Sequence, residues 1–229
     1  MSGAANSNGA RRETNESKRE TAEPRPAPEW MLGAMRPVVY AVSRALWRIS
    51  YRGLENIPAE GGLVVAANHQ TYADPFWIGA RVRRPLRFLA WDEAFGWPLA
   101  GRALEFLGAW PLVLDRGNPT AYRRSLQWLR GGGAVMIFPE GQRAYADGEL
   151  SRFKAGAVRL ALEAGAAVLP VTVRGGQRVW PRGQRVPRFS RVEVVFHPTQ
   201  RPAQLPGEDA RQCVQRETAA LANVIKSAL

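Results

Sequence analysis

A regular alternation of short apolar runs with helix-forming segments constrains the fold of this chain more than any other feature. The apolar runs are rich in β-branched residues and predict strands at 63–69, 86–90, 109–115, 134–138, 167–173 and 191–197. Helix start signals such as Asp74-Pro75 and Asn118-Pro119 pair a capping side chain with proline at the first helical position. Strands that alternate with helices favour parallel pairing. We therefore predict an α/β fold, a single domain with a mixed and largely parallel central sheet flanked by helices.

The first fifty residues divide into two segments of different character. Residues 1–29 contain no Val, Ile, Leu or aromatic side chain, and their five basic and five acidic residues cancel, which predicts a disordered tail. Residues 30–50 combine apolar residues and tryptophan with arginine, the pattern of an amphipathic membrane-surface helix. A helix that packs its apolar stripe on the domain gives the same pattern, and both interpretations stay open. Residues 51–229 then form the functional domain.

The basic charge of the chain predicts a polyanionic partner. The formal net charge is +12, and because the charges of residues 1–29 cancel, the whole excess lies on the rest of the chain. Residues 174–201 alone contain seven arginines against one glutamate, interleaved with Trp180 and Phe189. Near an anionic membrane each arginine can contribute about 1 kcal/mol to binding. A solvated basic loop that binds nothing, or a segment that binds nucleic acid, has the same composition.

Cysteine content and hydropathy narrow the expected location of the protein. The single cysteine, Cys213, excludes an intrachain disulfide, and with only two histidines in the chain we expect no metal site. The N-terminus has no apolar run with a cleavage site, and no uncharged apolar stretch reaches the roughly 18 residues that span a bilayer. We therefore expect a peripheral protein at the cytoplasmic face of the cell membrane.

Polar side chains follow the first predicted strand at its carboxyl end, the edge where ligands gather in parallel α/β sheets. In the run N-H-Q-T-Y-A-D, His69 ends the strand and Asp74 lies five residues later. A tight loop lets the carboxylate return to the imidazole, fix its tautomer and leave the other ring nitrogen as a proton acceptor. The alternative is a structural histidine beside a capping aspartate. The second histidine, His197, has no carboxylate nearby in sequence, and we interpret it as structural.

Two further loops at this edge carry charged side chains. Arg116, in D-R-G-N, lies between a strand and a capped helix, where its guanidinium and the helix N–H groups can share a phosphate. In F-P-E-G-Q-R, a sharp turn after a buried strand brings Glu140 and Arg143 to the same edge. A glutamate at a buried strand end most often pairs with an arginine. We expect Glu140 to hold an arginine or a backbone donor in place.

Four sequence blocks make the chain resemble the 1-acylglycerol-3-phosphate acyltransferases over about residues 53–175. The blocks, in order, are NHQTYAD, GAWPLVLDRGN, FPEGQRA and VLPVTV, with an F-K-x-G pattern at 153–156 before the last. The resemblance implies an acyltransferase domain in which His69 is the general base and Asp74 orients it. It also implies a set of substrate-binding residues at the phosphate and glycerol: Arg116, Glu140, Gly141, Arg143 and Lys154.

The chain departs from the family pattern at two places. The Thr and Ser of the usual F-P-E-G-T-R-S block are Gln142 and Ala144 here, so two hydroxyl groups are missing at this edge. Many members also carry a lysine after the second strand, and Trp91 stands in its place. If that lysine stabilises the thioester oxyanion, another donor such as a backbone N–H replaces it.

The resemblance implies transfer of a fatty acyl group from an acyl thioester, either acyl-CoA or acyl carrier protein, to the free hydroxyl of 1-acylglycerol-3-phosphate. The product is phosphatidic acid, in phospholipid synthesis. The expected partners are an anionic membrane surface, a lysophospholipid and the acyl donor, with no nucleic acid and no cofactor beyond the co-substrate. A thioester is already activated, so no protein nucleophile is needed, and Cys213 is interpreted as a core residue. Two alternatives are the same reaction on a different lysolipid or hydroxylated lipid, and a basic nucleic-acid-binding protein.

Overall fold

The computed structural model describes residues 27–91, 95–112, 119–144, 148–181, 183–184 and 186–229, which form a single α/β domain around a seven-stranded sheet. The strands are β1 (Ser50–Arg52), β2 (Leu63–Ala67), β3 (Leu86–Trp91), β4 (Trp110–Leu112), β5 (Ala134–Ile137), β6 (Ala167–Arg174) and β7 (Glu193–Phe196). Their order across the sheet is β1-β7-β6-β2-β5-β3-β4. Every neighbouring pair is parallel except β6 and β7, so the predicted mixed and largely parallel sheet is confirmed.

Helices flank this sheet, as predicted. They are α1 (Glu29–Trp47), α2 (Asp74–Gly79), α3 (Pro98–Phe106), α4 (Pro119–Arg130), α5 (Gly156–Ala164), α6 (Gly176–Val179) and α7 (Ala210–Lys226), with a 3₁₀ turn at Leu54–Asn56. Helix α1 corresponds to the helix predicted at 30–50. Except for its last three residues, the predicted tail of residues 1–29 lies outside the described part of the chain.

Two apolar clusters lie on opposite faces of the sheet because successive strand side chains point to opposite sides. Along β2, Leu63, Val65 and Ala67 belong to one cluster, whereas Val64 and Ala66 belong to the other. The first cluster packs against α1, α2 and α3, and we call this side the α1 face. The second packs against α4, α5 and α7, and we call it the α7 face. The central strand is therefore buried on both sides, which explains its continuous apolar sequence.

The structure differs from the sequence-based expectations at two places. Strand β1 was not predicted, because its three residues are too few for a periodic pattern; it pairs parallel with β7, with Ser50 opposite Glu193. The prediction that Asp74 caps the next helix is wrong. Ala73 occupies the cap position without a side-chain cap hydrogen bond, and Asp74 is the first helical residue. Its carboxylate turns back to the preceding loop instead.

Helix α1 packs on the domain with one side and exposes another. Tyr40 and Trp47 contact the core of the α1 face, and the Trp47 ring meets Trp77 edge to face at 5.4 Å. Val38 and Val42, in contrast, are exposed. Helix α1 therefore packs on the domain, as one of the two interpretations of its sequence expected. It also leaves apolar side chains exposed to a further partner. Among the described residues, no helix has both the length and the apolar character that crossing a bilayer requires.

Candidate active site

The loop after β2 is fixed to the neighbouring strand by the residues on either side of His69. The Asn68 side chain donates to the Val173 carbonyl at 2.9 Å and accepts from the Val173 N–H at 2.7 Å. The Gln70 side chain accepts from the Gly176 N–H at 2.8 Å. Both side chains are buried, so these bonds are shielded from water. They hold His69 at the carboxyl edge of the sheet, between β2 and β6.

His69 and Asp74 meet in the geometry that their spacing predicted. Asp74 Oδ2 lies 2.9 Å from His69 Nδ1 and also accepts the backbone N–H groups of Gln70 at 2.6 Å and Thr71 at 2.8 Å. Because Oδ2 is an acceptor for all three, Nδ1 carries the proton and Nε2 is left as a proton acceptor. The Asp74 side chain is fully buried, whereas 18% of the His69 side chain is exposed. A substrate can therefore reach the imidazole but not the carboxylate.

The buried carboxylate of Asp74 favours a positive charge on the neighbouring ring. Burial raises the pKa of Asp74, and the contacts with His69 and the two loop N–H groups counter this in part. The second oxygen, Oδ1, is buried and has no hydrogen-bond partner among the described residues. The negative charge is therefore poorly solvated, and a proton gained by His69 provides the compensating charge. This is the electrostatic arrangement that a general base requires.

Phe138 sets the plane of the imidazole. The two rings are stacked, with centroids 4.1 Å apart and planes inclined by 21°. Phe138 directly follows β5, the strand beside β2. Phe138 therefore packs against one face of the His69 ring, and Asp74 contacts the ring edge at Nδ1.

Glu140 joins three loops beneath the site. Its Oε1 accepts the His69 backbone N–H and its Oε2 accepts the Ser151 N–H, each at 2.8 Å. The carboxylate is almost fully buried, and burial raises its pKa while the two N–H donors lower it. The expectation that Glu140 holds a backbone donor is confirmed by these two bonds. The Ala144 N–H adds a bond to the His69 carbonyl at 2.6 Å.

We expect Glu140→Gln to lower both stability and activity. An amide has one acceptor oxygen, so its NH₂ group would face one of the two backbone N–H donors that the carboxylate now accepts. Leaving that buried donor unpaired should cost about 1–3 kcal/mol of unfolding free energy, and the loop that holds His69 should lose its anchor. Thermal unfolding and turnover measure the two effects. Glu55→Gln, on an exposed glutamate, is the control, and wild-type behaviour of both variants would contradict the anchoring role.

Arg143 lies against the loop that contains His69. Its guanidinium lies 3.6 Å from the centroid of the Tyr72 ring, and the edge of Tyr72 meets Trp180 at 5.6 Å. Tyr72 lies between His69 and Asp74 in the same block, but it was not among the predicted site residues. The signal that the sequence offered for Tyr72 was an aromatic residue within a polar loop. The structure thus brings a predicted substrate-binding arginine to the rim of the site.

Gly141 and Lys154 lie together on the other side of this rim. Gly141 has a φ of 68°, and a Cβ added there would lie 2.8 Å from Lys154 Nζ. The Lys154 N–H also bonds to the Pro139 carbonyl at 2.8 Å. A glycine is favoured here by the backbone conformation, and it leaves the space that the end of the Lys154 side chain occupies. The F-K-x-G pattern is therefore in contact with the F-P-E-G block.

Other residues that the sequence singled out lie outside the described residues or have other contacts. Arg116 falls within residues 113–118, and the segment 92–94 after Trp91 is likewise outside the described residues. His197 is in contact with Thr172 at 2.8 Å, and the Thr172 hydroxyl in turn donates to the Ile225 carbonyl. Cys213 is buried in α7. Within the described residues, no group of three His, Cys, Asp or Glu side chains forms a cluster that holds a metal ion.

An apolar pocket adjoins the helix that begins at Asp74. It has a volume of about 200 Å³ and lies between α1, α2, β3 and α3, with mostly apolar lining residues that include Leu32, Met35, Val39, Phe76 and Phe88. Pro75 and Phe76, which directly follow Asp74, form part of its wall. The site thus combines an accessible imidazole on a buried carboxylate, two cationic side chains and an adjoining apolar pocket.

The chain is similar in sequence to proteins described as acyltransferases. A 1-acyl-sn-glycerol-3-phosphate acyltransferase of Pseudomonas aeruginosa is 33% identical over 156 residues, 66% of this chain and 58% of the relative. A chloroplastic enzyme of the same description from Arabidopsis thaliana is 31% identical over 155 residues, 66% of this chain and 43% of the relative. The chain thus spans about half the length of these curated relatives.

A solved structure shares the fold, and a family model matches the region of the site. The crystal structure of the 1-acyl-sn-glycerophosphate acyltransferase PlsC from Thermotoga maritima superposes with a TM-score of 0.67 at 24% identity, over 86% of this chain and 79% of the other. The family model described as Acyltransferase matches residues 48–174. This match includes His69, Asp74 and the F-P-E-G block and covers more than half of the chain, so the protein belongs to the acyltransferase family.

Proposed function

We propose that this protein transfers a fatty acyl group from an acyl thioester to the free hydroxyl of 1-acylglycerol-3-phosphate and so forms phosphatidic acid. The observation that carries the proposal is the hydrogen bond between His69 Nδ1 and the buried Asp74 carboxylate, which leaves Nε2 available as a base. The names of the relatives support the choice of acceptor.

The reaction is a direct transfer in this proposal. Nε2 of His69 takes the proton of the acceptor hydroxyl while the hydroxyl oxygen attacks the carbonyl carbon of the thioester. The carbon–sulfur bond then breaks, and the leaving thiolate takes the proton from the imidazolium. Asp74 stabilises the imidazolium between these two steps. The products are the ester and the free thiol, and no side chain of the protein becomes acylated.

Cationic side chains at the rim bind the phosphate of the acceptor in this proposal. Arg143 is held over the ring of Tyr72, a residue of the loop between His69 and Asp74, and Lys154 lies against Gly141, next to Glu140. A guanidinium and an ammonium group both form charge-assisted hydrogen bonds with phosphate oxygens. Arg116 has the same proposed role, which rests on the family resemblance of its block. Glu140 contributes by holding the backbone of the loop.

The apolar pocket beside α2 receives a fatty acyl chain in this proposal. Its wall contains Phe76, two residues after Asp74, and the exposed Met35 of α1. A chain bound there would lie beside the helix that begins at Asp74. Burial of its methylene groups, at about 0.8 kcal/mol each, supplies binding energy.

An anionic membrane surface is the proposed place of action, with the protein peripheral at the cytoplasmic face. Val38 of α1 is 61% exposed, and Phe189, within the arginine-rich residues 174–201, is 80% exposed. The two segments meet, because Trp47 Nε1 donates to the Arg188 carbonyl at 3.1 Å. Apolar side chains next to arginines are typical of surfaces that bind a membrane interface. There the apolar side chains insert into the lipid, and the arginines are attracted to anionic headgroups. Membrane binding is therefore a better account of the basic stretch than nucleic-acid binding.

The double substitution Val38→Ser and Phe189→Ser is expected to weaken binding to anionic vesicles at least tenfold. Full burial of such a side chain is worth about 1.5–3 kcal/mol, and partial insertion of two side chains still exceeds the roughly 1.4 kcal/mol of a tenfold change. Vesicle sedimentation across a salt series measures the effect. Leu205→Ser is the control, since Leu205 is 52% exposed outside both segments. Unchanged vesicle binding of the double variant would contradict the membrane assignment. Wild-type protein that binds an oligonucleotide more tightly than it binds vesicles would also contradict it.

Product analysis tests the proposed reaction. Purified protein is incubated with labelled acyl-CoA, and separately with labelled acyl carrier protein, in the presence of a panel of lysolipids. The proposal expects labelled phosphatidic acid, identified by mass, from 1-acylglycerol-3-phosphate. A product from another lysolipid alone would overturn the acceptor but retain the reaction class. The absence of product with every acceptor would overturn the function.

A further inference from the structure

A second groove begins below the candidate active site and extends along the α7 face. It has a volume of about 1930 Å³, and Glu140 and Gly141 lie at its start. The loop 148–155, helix α5 and one side of α7 form the rest of its lining. The Ile225 carbonyl accepts the Thr172 hydroxyl near the carboxyl end of β6, so the end of α7 lies toward the edge that carries His69. The groove therefore leads away from the site on the side opposite α1.

The groove is basic around an apolar floor. Its cationic lining residues are Arg152, Lys154, Arg159, Arg211 and Lys226, and its acidic lining residues are Glu140 and Glu149. Among the described residues, none of these five is within ion-pair distance of a carboxylate. Even with both carboxylates ionised, the five cations leave the groove with a net positive charge. Unpaired cations that share one concavity attract an anionic ligand.

The floor consists of small and flat side chains. Val214, Ala219 and Ala222 of α7 line it together with Phe153, and Phe153 and Val214 are buried. Small residues on one side of a helix leave room for a ring system above them. A planar base surrounded by phosphate groups matches this combination of apolar floor and cationic rim.

We propose that this groove binds the phosphorylated nucleotide end of coenzyme A, the carrier of the acyl donor. The inference rests on the proposed function, because the donor there is an acyl thioester. The two substrates differ in solubility: the lipid acceptor comes from the membrane side, where α1 exposes its apolar residues, whereas the carrier comes from water. The α7 face meets the same edge of the sheet from the opposite side. The two substrates thus approach His69 along different paths, which meet at Lys154.

The concave shape favours a small-molecule carrier over a carrier protein. Small-molecule sites are clefts lined by apolar side chains with a few convergent polar groups, whereas protein partners bind broader and flatter patches. Arg159 lies on α5 only about 5 Å beyond the start of the helix, near the loop that supplies Arg152 and Lys154. Lys226 is the last residue of α7, at the end near β6. These cations surround the part of the groove nearest the reacting pair.

The double substitution Arg159→Gln and Lys226→Gln tests the groove. The donors are acyl-CoA and the same acyl group on N-acetylcysteamine, a thioester that has no phosphate or nucleotide. The ratio of kcat/KM for acyl-CoA to that for the truncated thioester should fall about tenfold. Arg83→Gln with Arg123→Gln removes the same charge from exposed positions outside the groove and should leave the ratio at its wild-type value. An unchanged ratio in the groove variant would overturn the proposal.

Binding of free coenzyme A provides a readout that needs no turnover. Calorimetric titration of the full-length protein should show binding that weakens about tenfold in the groove variant and not in the control. Coenzyme A binding of this kind, without acyl transfer to any lysolipid, would support the groove and overturn the proposed function. Equal affinity in both variants would overturn the groove. Turnover with acyl carrier protein alone, and no binding of coenzyme A, would also overturn it in favour of a protein donor.

Discussion

His69→Ala is expected to lower kcat/KM by about 10²–10⁴-fold, the range for loss of a positioned general base. The ring is the proton acceptor of the proposed reaction, and the other histidine of the sequence, His197, follows β7, which runs antiparallel to β6 and so leads away from this edge. The fold should survive, because the bonds from the His69 backbone to Glu140 and Ala144 do not involve the ring. Asp74 also keeps its two loop N–H donors.

Steady-state kinetics and thermal unfolding separate the chemical role of His69 from a structural role. The loss of unfolding free energy should stay below about 2 kcal/mol, the scale of one hydrogen bond to a charged group. His197→Ala is the matched control, and it should retain most of the activity. Near wild-type turnover in His69→Ala would rule out the ring as the base. Equal losses in both histidine variants would indicate a general effect on folding.

Asp74→Asn is expected to lower kcat at least about a hundredfold without unfolding the protein. The loop N–H groups of Gln70 and Thr71 require an acceptor, so the amide oxygen of Asn should take the position of Oδ2. The ring then keeps its hydrogen bond but loses the negative charge that stabilises the imidazolium. The amide NH₂ takes the position of Oδ1, which has no partner among the described residues. An unpaired amide costs about 1–3 kcal/mol, and removal of a buried charge offsets this.

The pH dependence of stability provides a second readout for Asp74. Burial raises the pKa of its carboxyl group, so the folded state binds this proton more tightly than the unfolded chain, in which the pKa is about 3.9. Ionisation therefore lowers the stability of the folded state as the pH rises above that value, and the penalty is absent below it. The wild type should lose stability relative to Asp74→Asn between acid and neutral pH. A difference in stability between the two proteins that does not vary with pH would contradict the raised pKa of Asp74. In the kinetic experiment, an Asp74→Asn variant that keeps more than a tenth of the wild-type kcat would contradict the need for the negative charge.

The strands and the reacting pair could be predicted because both leave local patterns in the sequence. Strands β2 and β6 are buried on both faces and read as continuous apolar runs. His69 and Asp74 are five residues apart, so one tight loop is enough to bring them together. Strand β1, with Ser50, Tyr51 and Arg52, has no such pattern, and its position depends on pairing with β7 more than a hundred residues later.

The residues that fix the site could not be predicted, because their partners are distant in sequence. Asn68 bonds to Val173 across 105 residues, and the Glu140 carboxylate joins loops that are 71 and 11 residues away. Periodicity shows which face of an element is buried, but not which buried donor finds which acceptor. The contact of Asp74 with His69 was predicted correctly. Its position as a helix cap was not, because the backbone N–H groups of its own loop compete for the carboxylate.

Rapid mixing with labelled acyl-CoA, followed by quenching and mass analysis of both protein and lipid, tests the direct transfer by His69 and Asp74. With 1-acylglycerol-3-phosphate present, the label should pass to phosphatidic acid within one turnover, and the mass of the protein should remain unchanged at every time point. In His69→Ala, the label should remain on coenzyme A. A protein species heavier by one acyl group that forms before the lipid product would contradict the account.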